Sequence, residues 1–220
     1  LPMYAKAGKS LSETMAKALG AYSELFGAYP RPLLSAVQAE FLDGMEYDGL
    51  FFLGSNFYDW YTEDPAQFLT MLGAHETAHQ WWYGLVGSDP ALEPWLDEAL
   101  CTYSERLYYE KVAPQALQWW WDYRIYYYSP DGWIDMSIYD VPNGPGHYRA
   151  YRDTVYFNGA LFLEELRLLV GDKAFFAALK DYAQTYAYAQ ASASDFFATL
   201  RLHTSADLNQ LLRKYFKSRQ

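Results

Sequence analysis

Leu11, Met15, Leu19, Tyr22 and Phe26 recur at helical spacing, and Ser10-Leu11-Ser12-Glu13 has the form of a capping box. The pattern predicts a first helix from about residue 10, ended by Gly27, Pro30 and Pro32. Val37, Ala39 and Phe41 then alternate with polar neighbours, and Leu50 to Leu53 form a short apolar run between Gly49 and Gly54. Two strands bracketing Asp43-Gly44 are expected. Asp64-Pro65 reads as a helix start, and Phe68, Leu69 and Leu72 carry the helical period on to Tyr83 before Gly84, which predicts a long helix. Gly84, Gly87, Ser88, Asp89 and Pro90 let the chain double back, and Pro94 opens a second helix.

Pro114 opens a further segment running to about Tyr128. Residues 129 to 149, with three prolines and three glycines, read as a long loop. From Asp153 onward the pattern is helical, with breaks at Gly171-Asp172, around Ser192 to Asp195, and near Thr204-Ser205. The expected class is α+β, predominantly α, with a small amino-terminal sheet followed by a helical bundle. One domain is expected over residues 1–220. About 1–110 would hold the sheet and the first helices, and about 111–220 a helical subdomain.

Hydrophobic residues make up 51% of the chain and charged residues 20%, an ordinary globular balance that argues against disorder. A net charge of −10 without a basic cluster argues against a nucleic-acid or anionic-membrane partner. Cys101 is the single cysteine, so no intrachain disulfide is possible. No signal or membrane-spanning run is seen, and a soluble chain of unassigned compartment is expected. Trp119-Trp120-Trp121 and Tyr126-Tyr127-Tyr128 are read as packing or domain-contact surface.

Candidate chemistry is concentrated in His75-Glu76-Thr77-Ala78-His79. Two histidines four apart share one helix face and can aim at a single ion, while Glu76, rotated by about 100°, sits beside that ion as a general base. Catalytic zinc takes three protein ligands and keeps a fourth position open. Glu98, on the second helix, is the expected third ligand, giving one zinc ion per chain. Asp97 is either an orienting partner of one histidine or a helix-surface residue. His147 and His203, with no partner at ligand spacing, are read as surface or loop histidines.

With these residues in place, the chain resembles the catalytic domain of the zinc aminopeptidases that include alanyl aminopeptidase and leukotriene hydrolase. The resemblance rests on HExxH, eighteen intervening residues and Glu98, with flanks His79-Gln80-Trp81-Trp82 and Trp95-Leu96-Asp97-Glu98. Asp43-Gly44-Met45-Glu46-Tyr47 resembles the family's Gly-x-Met-Glu-Asn motif. That implies substrate contact from Gly44, Met45 and Glu46, with Glu46 on the free α-amine. Val155-Tyr156-Phe157-Asn158-Gly159-Ala160 resembles the segment bearing the family's catalytic tyrosine, which implies that Tyr156 stabilises the oxyanion. Tyr47 departs from the motif's asparagine, and Asn158 stands where a lysine is common.

The resemblance covers about residues 35 to 200. It implies a thermolysin-like fold, peptide substrates with a free amino terminus, and contacts with flanking domains of a longer protein. A thermolysin-type endopeptidase and a non-catalytic metal-binding module are the alternatives. Glu46 separates the first of these and the open zinc position the second.

Overall fold

The stripe that predicts the first helix is the one it buries. α1 spans Ala5–Phe26 and turns Leu11, Met15, Ala18, Tyr22, Leu25 and Phe26 inward. The capping box does not begin it. Ala5, Lys6 and Ala7 are strong helix formers, Ala7 is buried, and the helix starts there, with Ser10 already inside it. The computed structural model describes residues 2–141 and 147–218.

The sheet has three strands rather than the two expected. β1 (Ser35–Ala39), β2 (Gly44–Tyr47) and β3 (Leu50–Gly54) lie in the order β1-β3-β2, with β1 parallel and β2 antiparallel to β3. Asp43-Gly44 therefore leads into a strand of its own, four residues long, whose alternation is too short to register as a period. The chain leaves β3 directly into α2 (Ser55–Asp59).

α3 covers Phe68–Ala78, shorter at both ends than the periodicity implied. Before it, the Gln67 side chain binds Thr62 and Asp64 and holds residues 62–67 as a loop. After it, residues 79–83 continue as turns, and Tyr83 takes a φ of 147°, incompatible with a helix. Trp81 and Trp82 are nonetheless fully packed, which is why their spacing looks helical. Every residue of α3 from Leu69 to Ala78 is buried, the mark of a central helix.

β4 (Val86–Gly87) leads to α4 (Trp95–Val112), which begins after Pro94 as expected. Trp95 anchors its start, with Phe162, Phe196, Phe197 and Phe216 at ring separations of 5.9, 5.4, 5.9 and 5.3 Å. The Tyr22 hydroxyl donates to Ser104 O at 2.8 Å and lies 3.2 Å from Ala74 O, so α1 ties α3 and α4 together from behind.

Next come α5 (Leu117–Trp119) and a π-helical segment, Trp120–Ile125. The expected loop over 129–149 is partly structured, with a 3₁₀ turn at Ile138–Asp140 and α6 at His147–Arg152. Its residues 142–146 lie outside the described residues. The helical region thus begins at His147 rather than Asp153. A second π-helical segment, Asp153–Asn158, runs into α7 (Gly159–Val170). α8 (Asp172–Thr185), β5 (Ala189–Gln190), α9 (Ala193–His203) and α10 (Asn209–Tyr215) complete the fold. The breaks fall where the sequence put them: Gly171 has a φ of 82°, and Ser192 and Asp195 form a true capping box. α1 packs against α3, α4 and α8, and α4 also packs against α3 and α7, so one apolar core runs through the helices. Among the described residues, no helix is long and apolar enough to cross a membrane.

The α4–α7 crossing is unusually close, because a Cβ on Gly159 would meet the Ala99 Cβ at 2.4 Å. At an open helical site Gly→Ala gains about 1 kcal/mol. We expect Gly159→Ala instead to lose roughly 1–3 kcal/mol in urea unfolding. Gly8→Ala, with nothing within 4 Å, should show the gain. Equal gains at both positions would contradict a tight crossing.

Candidate metal centre and catalytic cleft

His75 lies in the last turn of α3 and His79 caps it, their ring centroids 4.8 Å apart. Glu98 stands in the first turn of α4, with Oε2 3.3 Å from His75 Nε2 and 3.7 Å from His79 Nε2. The three groups offer ligand atoms all within 4.8 Å of one another. Residues expected together from spacing alone are thus brought to one point.

What holds the imidazoles there is a carboxylate behind each. His75 Nδ1 lies 2.8 Å from Glu105 Oε1, and His79 Nδ1 lies 2.7 Å from Asp97 Oδ1. An Nδ1–H donated to a carboxylate leaves the Nε2 lone pair free toward the cleft, the tautomer a metal requires. Burial, the largest effect on each ring, lowers its basicity, but the carboxylates outweigh it. Glu105 and Glu98 bring His75 up to about 9, and His79 also ends well above its ordinary value. Of the two roles open to Asp97, the buried partner of His79 is the one adopted.

Glu105 is itself fully buried and needs compensation. Arg124 supplies it with Nε and Nη2 at 3.1 and 2.7 Å, and Trp120 Nε1 adds a bond of 2.7 Å. These three residues were missed at the sequence level. Glu105 had a signal, lying two helical turns beyond Glu98 on the same face. Arg124 and Trp120 had none, since the π-helical segment that aims them has no period to detect. Trp120 therefore supports the site, whereas Tyr126 and Tyr127 are exposed as the surface reading had it.

The charge balance favours a cation. Among the described residues, Glu46, Glu76, Asp97 and Glu98 have no lysine or arginine paired to them, and the two imidazoles face the same space. Two imidazole nitrogens and one carboxylate oxygen form a donor set that suits a divalent ion of borderline softness. A second buried group, His79, Asp97 and Cys101, is less suited. Its His79 Nδ1 already binds Asp97, and burial pushes the Cys101 thiol well above its usual value, keeping it protonated.

Glu76 is buried, and its Oε2 has no hydrogen-bond partner among the described residues. Burial, against the pull of His79 and His75, raises its carboxyl to about 7. Gly44 is required opposite it: a Cβ there would stand 2.0 Å from Glu76 Oε1. β2 thus approaches the carboxylate of α3 to contact, with Glu46 half-buried two residues on and Met45 exposed between them. Glu46, Glu76 and His79 also have groups within 4.8 Å of one another.

Tyr156 enters from the opposite wall, on the second π-helical segment. Its ring lies parallel to His75, with the centroids 6.2 Å apart, and its phenol feels the Glu98 carboxylate. Burial, reinforced by Glu98, holds the phenol well above its ordinary value, so it stays a donor. The residues Gly44, Met45, Glu46, His75, Glu76, His79, Glu98 and Tyr156 all line one open cavity of about 270 Å³. The two departures are accommodated away from that chemistry. Tyr47 turns its ring onto Phe52, and Asn158 donates to Gly132 O at 2.8 Å. His203 pairs with Asp181, and the His147 side chain lies outside the described residues.

Fold and site geometry together have the character of a metallopeptidase catalytic domain. The chain belongs to peptidase family M1, whose domain model matches residues 11–215. It is 27% identical over 225 residues to Aminopeptidase M1-D of Oryza sativa subsp. japonica, covering 96% of this chain and 25% of that protein. It is 24% identical over 148 residues to a leucyl aminopeptidase of Saccharolobus solfataricus, covering 63% of this chain and 18% of that one. Among solved structures, an M1 zinc metallopeptidase from Deinococcus radiodurans superposes with a TM-score of 0.72 at 25% identity, over 94% of this chain and 44% of that chain. A two-domain M1 zinc metallopeptidase bound to L-tryptophan gives 0.70 at 25% identity, over 93% and 44%. The chain spans about a quarter of the length of the plant relatives it matches.

Glu105→Gln keeps the volume but leaves Arg124 without its countercharge and weakens the hold on His75. We expect zinc affinity, measured by competition with a chelating dye, to fall about 10–100-fold. An unchanged affinity in a folded variant would remove Glu105 from the metal centre.

Proposed function

We propose that this chain is the catalytic domain of a zinc aminopeptidase, with a thermolysin-like arrangement of sheet and helices over residues 1–220. His75, His79 and Glu98 would hold one zinc ion. The observation that carries the reading is the convergence of two Nε2 atoms and a Glu98 oxygen in an open cleft beside an unpartnered buried carboxylate, Glu76. Zinc, when bound, supplies Lewis acidity toward a water and toward the scissile carbonyl.

The protein's own groups do the rest. Glu76 Oε2 has no competing hydrogen bond and takes a proton from the attacking water, then returns it to the leaving amine. The Tyr156 hydroxyl, kept protonated by burial, donates to the oxygen that becomes negative as the carbonyl turns tetrahedral. Glu46 accepts from the substrate ammonium, a charge-assisted contact that an internal peptide bond cannot make. Gly44 permits that approach by leaving room for Glu76, and Met45 contributes strand backbone along the substrate. The bound L-tryptophan of the structural neighbour is consistent with a site that accepts a free amino group. The substrates are peptides with a free amino terminus, and the longer relatives imply further segments that would pack against this chain.

Glu76→Gln should retain one zinc per chain by metal analysis and lose hydrolysis of amino acid anilides. Tyr156→Phe should retain zinc and slow turnover by roughly 10²-fold. Acetylated anilides should be poor substrates for the unaltered protein. Equal cleavage of free and acetylated substrates would overturn the exopeptidase assignment in favour of an endopeptidase.

A further inference from the structure

Gln80 follows the second histidine of the metal motif, and its side chain is used for neither metal nor cleft. It is 1% exposed, and its amide spans outward to the β2–β3 turn. Nε2 donates to Tyr47 O at 3.0 Å, and Oε1 accepts from Gly49 N at 2.8 Å. One planar side chain therefore satisfies a carbonyl on one side of the two-residue turn and an amide on the other. The Tyr29 hydroxyl, donating to Leu33 O at 3.0 Å, lies 3.4 Å from the same Oε1.

The turn is held from outside as well. Arg31 Nη2 meets Asp48 Oδ2 at 2.6 Å, and Ser35 N donates to Gly49 O at 3.0 Å. The buried amide and the exposed ion pair are not equivalent. An exposed pair contributes little and is screened by salt, whereas the two part-buried backbone groups are met by an amide that is itself buried. Gln80 ties the turn to the residues that end α3 through two hydrogen bonds.

Glu46 is the residue immediately before Tyr47, on a strand only four residues long. Its distance from His75, His79 and Glu76 depends on where that strand is pinned. β3 fixes it laterally through the Glu46–Phe51 register, and Gln80 joins its far end to the metal-motif segment itself.

We propose that Gln80 is a positioning residue for substrate selection: by strapping the Tyr47–Gly49 turn to the metal-motif segment, it sets the spacing between the ammonium-binding Glu46 and the hydrolytic centre, and so enforces cleavage at a free amino terminus. The inference rests on the aminopeptidase reading above. Its chemistry is that of a ruler, because an ammonium fixed at one end and a carbonyl at the other tolerate little error in separation.

The test is Gln80→Leu in the zinc-loaded protein, with Gln80→Glu as a second variant that keeps the acceptor for Gly49 N and loses the donor to Tyr47 O. Three quantities are read: zinc per chain, hydrogen exchange of the Gly49 amide, and kcat and KM for free and acetylated amino acid anilides. We expect one zinc per chain, faster Gly49 exchange in Gln80→Leu, and a rise of about tenfold or more in KM for the free-amine substrate. The smaller change in kcat and an unaltered rate on the acetylated substrate would separate lost positioning from general damage. Should Gln80→Leu not fold, the KM of Gln80→Glu decides. Free-amine preference and KM kept in a folded, zinc-loaded variant would overturn the role of Gln80 and leave the aminopeptidase reading standing. Absence of that preference in the unaltered protein would overturn both.

Discussion

The carboxylate held behind each imidazole is the constraint on which the rest of this structure depends. Two histidines on a helix can point many ways. With Glu105 on His75 and Asp97 on His79, both Nδ1 atoms are committed and both Nε2 atoms must face the cleft. Those carboxylates stand on α4, so the α3–α4 contact is the device that shapes the centre. The close Gly159–Ala99 crossing, the Trp95 ring cluster and the Tyr22 hydroxyl all serve to keep α4 at one height and rotation against α3.

The two carboxylates are compensated differently. Glu105 is answered by Arg124 and Trp120, so His75 is gripped by a group whose charge is already neutralised. Among the described residues, Asp97 meets His79, whose Nδ1 also lies 3.2 Å from the Cys101 thiol, and burial pushes the Asp97 carboxyl up to about 6. Among the described residues, Asp97 and Glu98 meet histidines rather than lysine or arginine.

Much of this was legible in the sequence where a period or a motif spoke. The stripe of α1, the start of α4 after Pro94 and the breaks at Gly171 and Ser192 follow from local rules. His75, Glu76, His79 and Glu98 converge because two helices of known pitch joined by a turn leave little freedom. Other features were hidden for physical reasons. β2 is too short to show alternation, and the end of α3 was masked by Trp81 and Trp82, which pack as though still helical. Arg124 rides on a π-helical segment, whose wider turn defeats a 3.6-residue reading, whereas Tyr156, on another such segment, was named through its motif resemblance and not through a period. Gln80 was visible only as a motif flank, because its partners are backbone atoms more than thirty residues away in the chain.

Anomalous diffraction from a crystal of the zinc-loaded protein measures the central claim most directly. The account predicts one strong peak roughly 2.0–2.2 Å from His75 Nε2, His79 Nε2 and a Glu98 oxygen, with a side open to solvent. A peak at His79, Asp97 and Cys101, or an ion held through an Nδ1 atom, would contradict it.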